Sequence, residues 1–136
     1  MDPSLQQVGQ AIKRLQWRHH SEANRRLAGL GLSISQWDVL RNLHDHPDAS
    51  LHELAQRTFQ TDQSMGTLAT RMVERGLIER LDGPGRAIRH GLTETGEQAR
   101  KAGAERLDAV LAESLGTLSA DQLRTLHSLL VAATGS

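Results

Sequence analysis

The stretch over residues 50–92 constrains the fold most, because its pattern changes from helical to extended at one glycine, Gly76. Ser50 and Glu53 have the spacing of a capping box, in which a hydroxyl and a carboxylate three residues later satisfy backbone amides at a helix start. Thr61 supplies a second N-cap, and apolar residues then recur at helical spacing until Gly76 ends the helix. Beyond that glycine, two short strand-like runs flank a turn rich in glycine and proline. The segment therefore predicts a helix, a tight turn, a second helix and a β-hairpin.

The second helix of this segment, predicted to end at about Arg75, carries hydrogen-bonding groups of little bulk on its outer face. A winged helix-turn-helix can place such a helix in the DNA major groove and its hairpin on the neighbouring backbone. Gln63 can form two hydrogen bonds with adenine, and short hydroxyl side chains can bond to base edges or contact a thymine methyl. Taken alone, each exposed hydroxyl is better explained by contact with solvent. The residues predicted to contact DNA are Gln63, Ser64, Thr67, Thr70, Arg71, Arg80 and Arg89.

Capping motifs also divide the rest of the chain into helices. Asp2 followed by Pro3 predicts the start of a first helix, which glycines end near residue 30. Capping-box spacing predicts further starts, with Thr93 as an alternative cap to Thr95. These predicted starts are Ser33, Ser50, Thr95 and Ser119. The predicted fold class is mainly α with a small β-hairpin wing.

Apolar stripes run along the predicted first helix, the last helix and the helix near residue 110. A compact winged-helix core cannot cover all of these stripes, so a second copy of the chain is the simplest way to bury them. We predict one structural domain in which residues 33–96 form the DNA-binding winged helix-turn-helix and residues 1–32 and 97–136 form dimerisation helices. The alternative is an intramolecular bundle, which would leave a monomer with one DNA-reading head.

Composition narrows the function classes. The 16 Lys+Arg residues balance 16 Asp+Glu residues, so bulk charge does not itself indicate a nucleic-acid partner. The chain has no cysteine, which excludes disulfides and thiolate metal sites, and its seven histidines include no pair at the spacing of a helical zinc site. Without a phosphate-binding glycine loop or a nucleophile elbow, we expect no enzyme, no cofactor and no metal. The lack of a long apolar stretch or a signal-peptide core favours a cytoplasmic protein with no membrane partner.

Several short motifs occur in a fixed order along nearly the whole chain. Ser35-Gln36-Trp37 and Leu54-Ala55 precede the runs Gly76-Leu77-Ile78-Glu79-Arg80, then Arg86, then Leu92-Thr93-Glu94-Thr95-Gly96. In this order and spacing they resemble the MarR family of bacterial transcriptional regulators. The resemblance implies a homodimer with interleaved N- and C-terminal helices. It also places Arg86 at the position of the family's DNA-contacting wing arginine.

The same resemblance implies a ligand site. MarR-like proteins bind small aromatic or phenolic anions where their first, second and fifth helices meet. Trp17, His20 and Trp37 are the candidates to line such a site, with Arg41 or Arg18 as the charge partner. The alternative is ordinary packing, with Trp37 in the core and Trp17 at the dimer interface.

Together these features predict a homodimeric, sequence-specific DNA-binding transcription regulator, a repressor on a pseudo-palindromic operator. Its predicted partners are double-stranded DNA, a second copy of itself and a small aromatic or anionic effector that releases it. The alternative is a winged-helix protein-interaction module without sequence-specific DNA binding. Three features favour that alternative: Thr67 stands where many MarR-like proteins have arginine, Pro84 replaces the usual wing aspartate in a shortened hairpin, and the net charge is zero.

Overall fold

The computed structural model describes residues 1–83, 85 and 87–135. Within this part the chain forms helices and one two-stranded antiparallel sheet, which confirms the predicted mainly α winged helix-turn-helix. None of the described helices combines the length and apolar character needed to cross a membrane. In chain order the elements are α1 (Leu5–Ala28), α2 (Ile34–Asp45), α3 (Leu51–Arg57), α4 (Asp62–Glu74), β1 (Ile78–Leu81), β2 (Arg89–Leu92), α5 (Glu94–Leu115) and α6 (Ala120–Thr134).

Capping boxes set most of the helix starts, as predicted. At Ser33, Ser50 and Ser119 the hydroxyl accepts from the amide three residues on, and the side chain of that residue accepts from the cap amide. Thr61 caps α4 by accepting from the amide of Ser64 at 3.0 Å. These local bonds fix where α2, α3, α4 and α6 begin, and therefore which residues of α4 face outward.

One predicted helix start is wrong by two residues, and at another the structure selects the second of two predicted caps. The first helix begins at the capping box of Ser4 and Gln7 rather than at Asp2, because this pair satisfies both cap amides reciprocally. The fifth helix is capped by Thr93 rather than Thr95. The Thr93 hydroxyl accepts from the amide of Gly96 at 3.0 Å and donates to the carbonyl of Gly76 at 2.5 Å. Thr93 therefore ties the start of α5 to the end of α4, a contact that a local spacing rule cannot reveal.

The core lies where α2, α3 and α4 meet the hairpin and the end of α1. On α4 the inner residues Met65, Ala69 and Met72 are buried and Leu68 is half-buried, as the helical spacing predicted. The largest fully buried side chains are Leu27, Val39, Leu40, Leu54, Met65, Met72 and Ile78. Because these side chains fix α4 from one side, its opposite face is held in a defined orientation toward solvent.

The hairpin follows directly on the left-handed Gly76, whose φ of +74° ends α4. Ile78 pairs with Leu92 and Leu81 pairs with Arg89 across the two strands. The predicted second strand began at Arg86, but β2 begins at Arg89. Arg86 and Pro84, on which the wing predictions rested, lie outside the described residues.

The terminal helices leave apolar side chains exposed. Leu5 on α1 is 92% exposed and Leu129 on α6 is 63% exposed. Over Ala120–Thr134, α6 contains no buried residue. One chain therefore does not close the intramolecular bundle that would hide these stripes.

Candidate functional site

The outer face of α4 is the candidate nucleic-acid interface, because its polar side chains are all exposed. Thr67 donates its hydroxyl hydrogen to the carbonyl of Gln63 at 3.1 Å, and Thr70 donates to the carbonyl of Gly66 at 3.0 Å. Since each hydroxyl hydrogen points back to the helix, the methyl group and the free oxygen lone pair remain for an outside partner. The face therefore offers hydrogen-bond acceptors and methyl groups at Thr67 and Thr70. Beside them, the side-chain amide of Gln63 can both donate and accept hydrogen bonds.

Two shallow clefts flank this helix and bring the predicted residues together. The cleft between α4 and the hairpin, of about 440 Å³, is lined by Gln63, Thr67, Thr70, Arg80 and His90 among others. The cleft between α4 and the start of α2, of about 390 Å³, is lined by Ser35, Gln60, Gln63, Ser64, Thr67, Leu68 and Arg71. A positively charged side chain therefore lies on each side of the polar face: Arg80 on the side of the hairpin and Arg71 on the side of α2.

Arg89 supports the wing from within the protein. Its Nε donates to the carbonyl of Asp48 at 3.1 Å, and Ser50 and Arg89 form an isolated β-bridge. The amide of Leu51 also donates to the carbonyl of Ile88 at 2.8 Å. These bonds attach the hairpin to the loop before α3, so Arg89 is engaged in holding the wing whether or not it also meets a phosphate.

His90 is a site residue that the sequence did not reveal. It is 5% exposed on β2, opposite Arg80 in the hairpin register, and lines the cleft beside α4. Within the described part of the chain its Nδ1 has no hydrogen-bond partner. Burial, and then the positive charge of Arg80, lower the pKa of the His90 imidazole. The only available signal was its place two residues before Leu92, which predicts that the two side chains share a strand face.

A second candidate site is a cavity of about 570 Å³ between α1, α2 and α5. The guanidinium Cζ of Arg41 lies 5.5 Å from the ring centroid of Trp37, within cation–π range. The other lining residues include Gln16, His19, Ala23, Ile34, His44, Asp45, Arg100, Ala104, Leu107, Asp108, Val110 and Leu111. An apolar floor with an aromatic face and a cation is suited to a flat aromatic anion.

The cavity contains only part of the ligand site predicted from the sequence. Trp37 and Arg41 line it, whereas Trp17 and His20 do not. Trp17 is 69% exposed, and His20 instead lies 3.0 Å from the amide nitrogen of Asn24. Of the two tryptophans predicted to line a ligand site, this cavity therefore includes Trp37 and not Trp17, and the ligand site itself stays a prediction. Gln16, His19 and Ala23 line the cavity instead, at the i, i+3, i+7 spacing of one face of α1.

Charges within the cavity are unevenly paired. Arg100 donates two hydrogen bonds to Glu97, at 2.9 and 2.6 Å, and these bonds lower the pKa of Glu97 to about 2. The positive charge of Arg100 is therefore offset. Arg41 makes only a 3.4 Å contact with Asp38, a carboxyl whose pKa is raised by burial. Arg41 is thus the cation best placed to meet an anionic ligand.

Comparison with known proteins identifies a family match in the segment that contains the winged helix-turn-helix. The MarR family model matches residues 30–87. No curated protein matches the chain. Among solved structures, the MarR family protein Rv2887 of Mycobacterium tuberculosis, in complex with p-aminosalicylic acid, is 28% identical with a TM-score of 0.76 over 95% of this chain and 98% of that one.

Two more distant structures share the fold. A variant of MarR from E. coli in complex with operator DNA is 22% identical, with a TM-score of 0.83 over 93% of this chain and 92% of that one. CouR from Rhodococcus jostii RHA1, bound to p-coumaroyl-CoA, is 19% identical, with a TM-score of 0.84 over 93% and 90%. The arrangement of helices and hairpin is therefore one that solved winged-helix regulators adopt.

Proposed function

We propose that this chain, a MarR-family protein through its winged-helix segment at residues 30–87, represses transcription by binding an operator as a homodimer. The observation that carries the proposal is the exposed polar face of α4, held outward by a buried apolar face and flanked by Arg71 and Arg80. This arrangement supplies base-reading groups in the middle and phosphate-binding cations at the sides.

The proposed reading head is α4. A helix with side chains fills the major groove, which is about 12 Å wide. Gln63 and Ser64, in the first turn, would meet base edges, and Thr67 would offer its oxygen and methyl group one turn further along. Because the Thr67 hydroxyl hydrogen is used by the helix, that side chain favours bases that present a donor or a methyl group.

Dimerisation is proposed for residues 1–32 and 97–136, with residues 33–96 as the DNA-binding part. An apolar cleft of about 400 Å³ separates α1 from the end of α5 and α6, and it is lined by Ala11, Ile12, Leu15, Gln16, His19, Leu115, Leu126 and Leu130. Leu129 and Leu130 of α6 add exposed apolar side chains, and exposed apolar patches mark interaction surfaces. A two-fold partner would cover this surface and set two α4 helices about 34 Å apart, one DNA turn.

We further propose that a small aromatic anion regulates binding. The α1–α2–α5 cavity falls within the size range of small-molecule sites, and it combines Trp37 with the partly paired Arg41. Rv2887, which is bound to p-aminosalicylic acid, provides a chemical precedent for such a ligand. Because the cavity joins the proposed dimerisation helices to α2, a ligand can favour a dimer whose heads no longer match the operator.

The direct test is a salt titration of duplex binding by the full chain. We expect the logarithm of the binding constant to fall linearly with the logarithm of salt concentration, with a slope of about −0.9 for each phosphate neutralised. Replacing Arg80 by Ala should weaken binding to all duplexes and reduce the slope by about 1, whereas Gln63→Ala should weaken only the preferred sequence. If the wild type binds no duplex even at low salt, the protein-interaction module is supported instead, in keeping with the zero net charge.

A further inference from the structure

Phe59, in the turn between α3 and α4, stands out by both exposure and backbone geometry. Its side chain is 97% exposed, although it is the only phenylalanine in the chain. Its φ of +58° is left-handed, and among the described residues it is the one non-glycine residue with a positive φ. A bulky L side chain is disfavoured there both by backbone sterics and by contact with water.

The hydrogen bonds around Phe59 explain why the turn requires this conformation. The amide of Gln60 donates to the carbonyl of Ala55 at 2.8 Å, and the amide of Phe59 donates to Gln56 at 3.3 Å. This pair of bonds is the Schellman ending of a helix, and glycine is the usual residue at the left-handed position. Phe59 therefore occupies a place where glycine would close the same turn without a steric penalty.

Side chains on both sides hold the turn in place. Thr58 donates its hydroxyl to the carbonyl of Leu54 at 2.6 Å, and the side-chain amide of Gln60 donates to that same hydroxyl oxygen at 3.1 Å. Thr61 then caps α4. The ring of Phe59 is thus held by an ordered turn, at most about 11 Å along the backbone from the first residue of α4, Asp62.

We propose that Phe59 is a DNA-contacting residue that packs its ring on an apolar part of the duplex beside the bases facing Gln63 and Ser64. This inference rests on the proposed function, since it requires α4 to enter the groove by its first turn. Phenylalanine contacts thymine methyl groups in DNA complexes, and deoxyribose offers a similar apolar surface. A ring lacking intramolecular packing, fixed two residues before the N-cap Thr61 of the reading helix, is placed for such a contact.

The test compares Phe59→Gly with the wild type on the operator selected by the wild type. The variant removes the ring and relaxes the backbone, so it should unfold at a higher denaturant concentration. It should nevertheless bind DNA about five- to tenfold more weakly, the loss expected for one apolar contact. Its salt dependence should be unchanged because the ring carries no charge. Val73→Ala, at the far end of α4, removes a 38% exposed apolar side chain and should leave affinity unchanged.

Replacing thymine by uracil, one position at a time, identifies the surface that the ring contacts. If one replacement weakens the wild type but not Phe59→Gly, the ring meets that methyl group. If Phe59→Gly is weaker on every duplex and no replacement matters, the ring meets deoxyribose; both results support the proposal. If Phe59→Gly binds as tightly as the wild type, the proposal is wrong while the proposed function stands. If the wild type binds no duplex, the proposed function itself fails, and this inference fails with it.

Discussion

The indole Nε1 of Trp37 donates a hydrogen bond to the backbone carbonyl of Arg100 at 3.0 Å, which joins α2 of the winged helix-turn-helix to the long helix α5. Gly103 makes this contact possible. A Cβ atom at that position would lie 2.4 Å from Cδ1 and 2.8 Å from Nε1 of the same indole. The small residue on α5 therefore sets the distance between α2 and α5, one of the proposed dimerisation helices.

Replacing Gly103 by Ala should destabilise the protein. The added methyl group must displace Trp37 and break its bond to Arg100, and overpacking of this kind costs about 1–3 kcal/mol. The matched control is Gly66→Ala, where a Cβ meets nothing within 4 Å and the helix should gain about 0.5–1 kcal/mol. Urea unfolding measures both variants. Equal stability of Gly103→Ala and the wild type would show that α2 and α5 are not locked by this contact.

The cavity beside Trp37 should bind aromatic carboxylates. In a Trp17→Phe background, p-aminosalicylate should quench the remaining tryptophan fluorescence, because Trp37 lines the cavity. Arg41→Gln should weaken this binding about tenfold, since an anion would lose its cation. Arg18→Gln should not weaken it, because Arg18 does not line the cavity. A stronger effect of Arg18→Gln than of Arg41→Gln would place the ligand elsewhere.

His90 should make stability depend on pH. Its pKa is lowered in the folded protein, so the unfolded chain takes up a proton first as the pH falls below 6.5. The contribution of His90 is therefore fully present above that pH and is lost as the pH falls through the folded-state pKa.

Denaturant unfolding between pH 7.5 and 5 tests whether His90 makes the stability depend on pH. The wild type should lose more stability than His90→Gln, by at most about 1.4 kcal/mol per pH unit. His19, whose pKa is also lowered, chiefly by burial, provides the comparison variant His19→Gln. Parallel curves for the wild type and His90→Gln would mean that the imidazole is not kept neutral by its buried position.

The exposed stripe of α6 should hold the dimer together. Leu130 is 42% exposed in one chain and borders the apolar cleft between α1 and α6. Leu130→Glu should shift the chain to monomer in sedimentation, because a carboxylate buried at an apolar interface is strongly unfavourable. Ser128→Glu, about 200° around the helix from Leu126, should leave the dimer intact. A Leu130→Glu protein that sediments as the wild type does would contradict the assignment of α6 to the interface.

Local patterns predicted those parts of the structure that local bonds decide. Ser33, Ser50, Thr61 and Ser119 cap helices because each hydroxyl meets an amide only three residues away. The choice of Thr93 over Thr95 depended instead on a carbonyl seventeen residues earlier in the chain. Residue spacing along the sequence does not predict hydrogen bonds between residues so far apart in the chain.

The candidate sites likewise divide into features set by local pattern and features set by packing between distant segments. The outward face of α4 follows from helical period and was predicted, whereas the cavity depends on how α1 turns against α5. A rotation of that helix decides whether His19 or His20 faces inward, and the structure selects His19. The burial of His90 and the left-handed backbone of Phe59 could not be predicted, because both depend on how neighbouring elements pack and not on residue spacing.

Selection of bound duplexes from a random pool, performed in parallel with the wild type and Gln63→Ala, most directly tests the proposal that two α4 helices read DNA. The wild type should enrich an inverted repeat whose half-site centres lie about 10 base pairs apart, and the variant should lose preference at one symmetric pair of positions. Enrichment of no sequence, or of the same repeat by both proteins, would contradict that proposal.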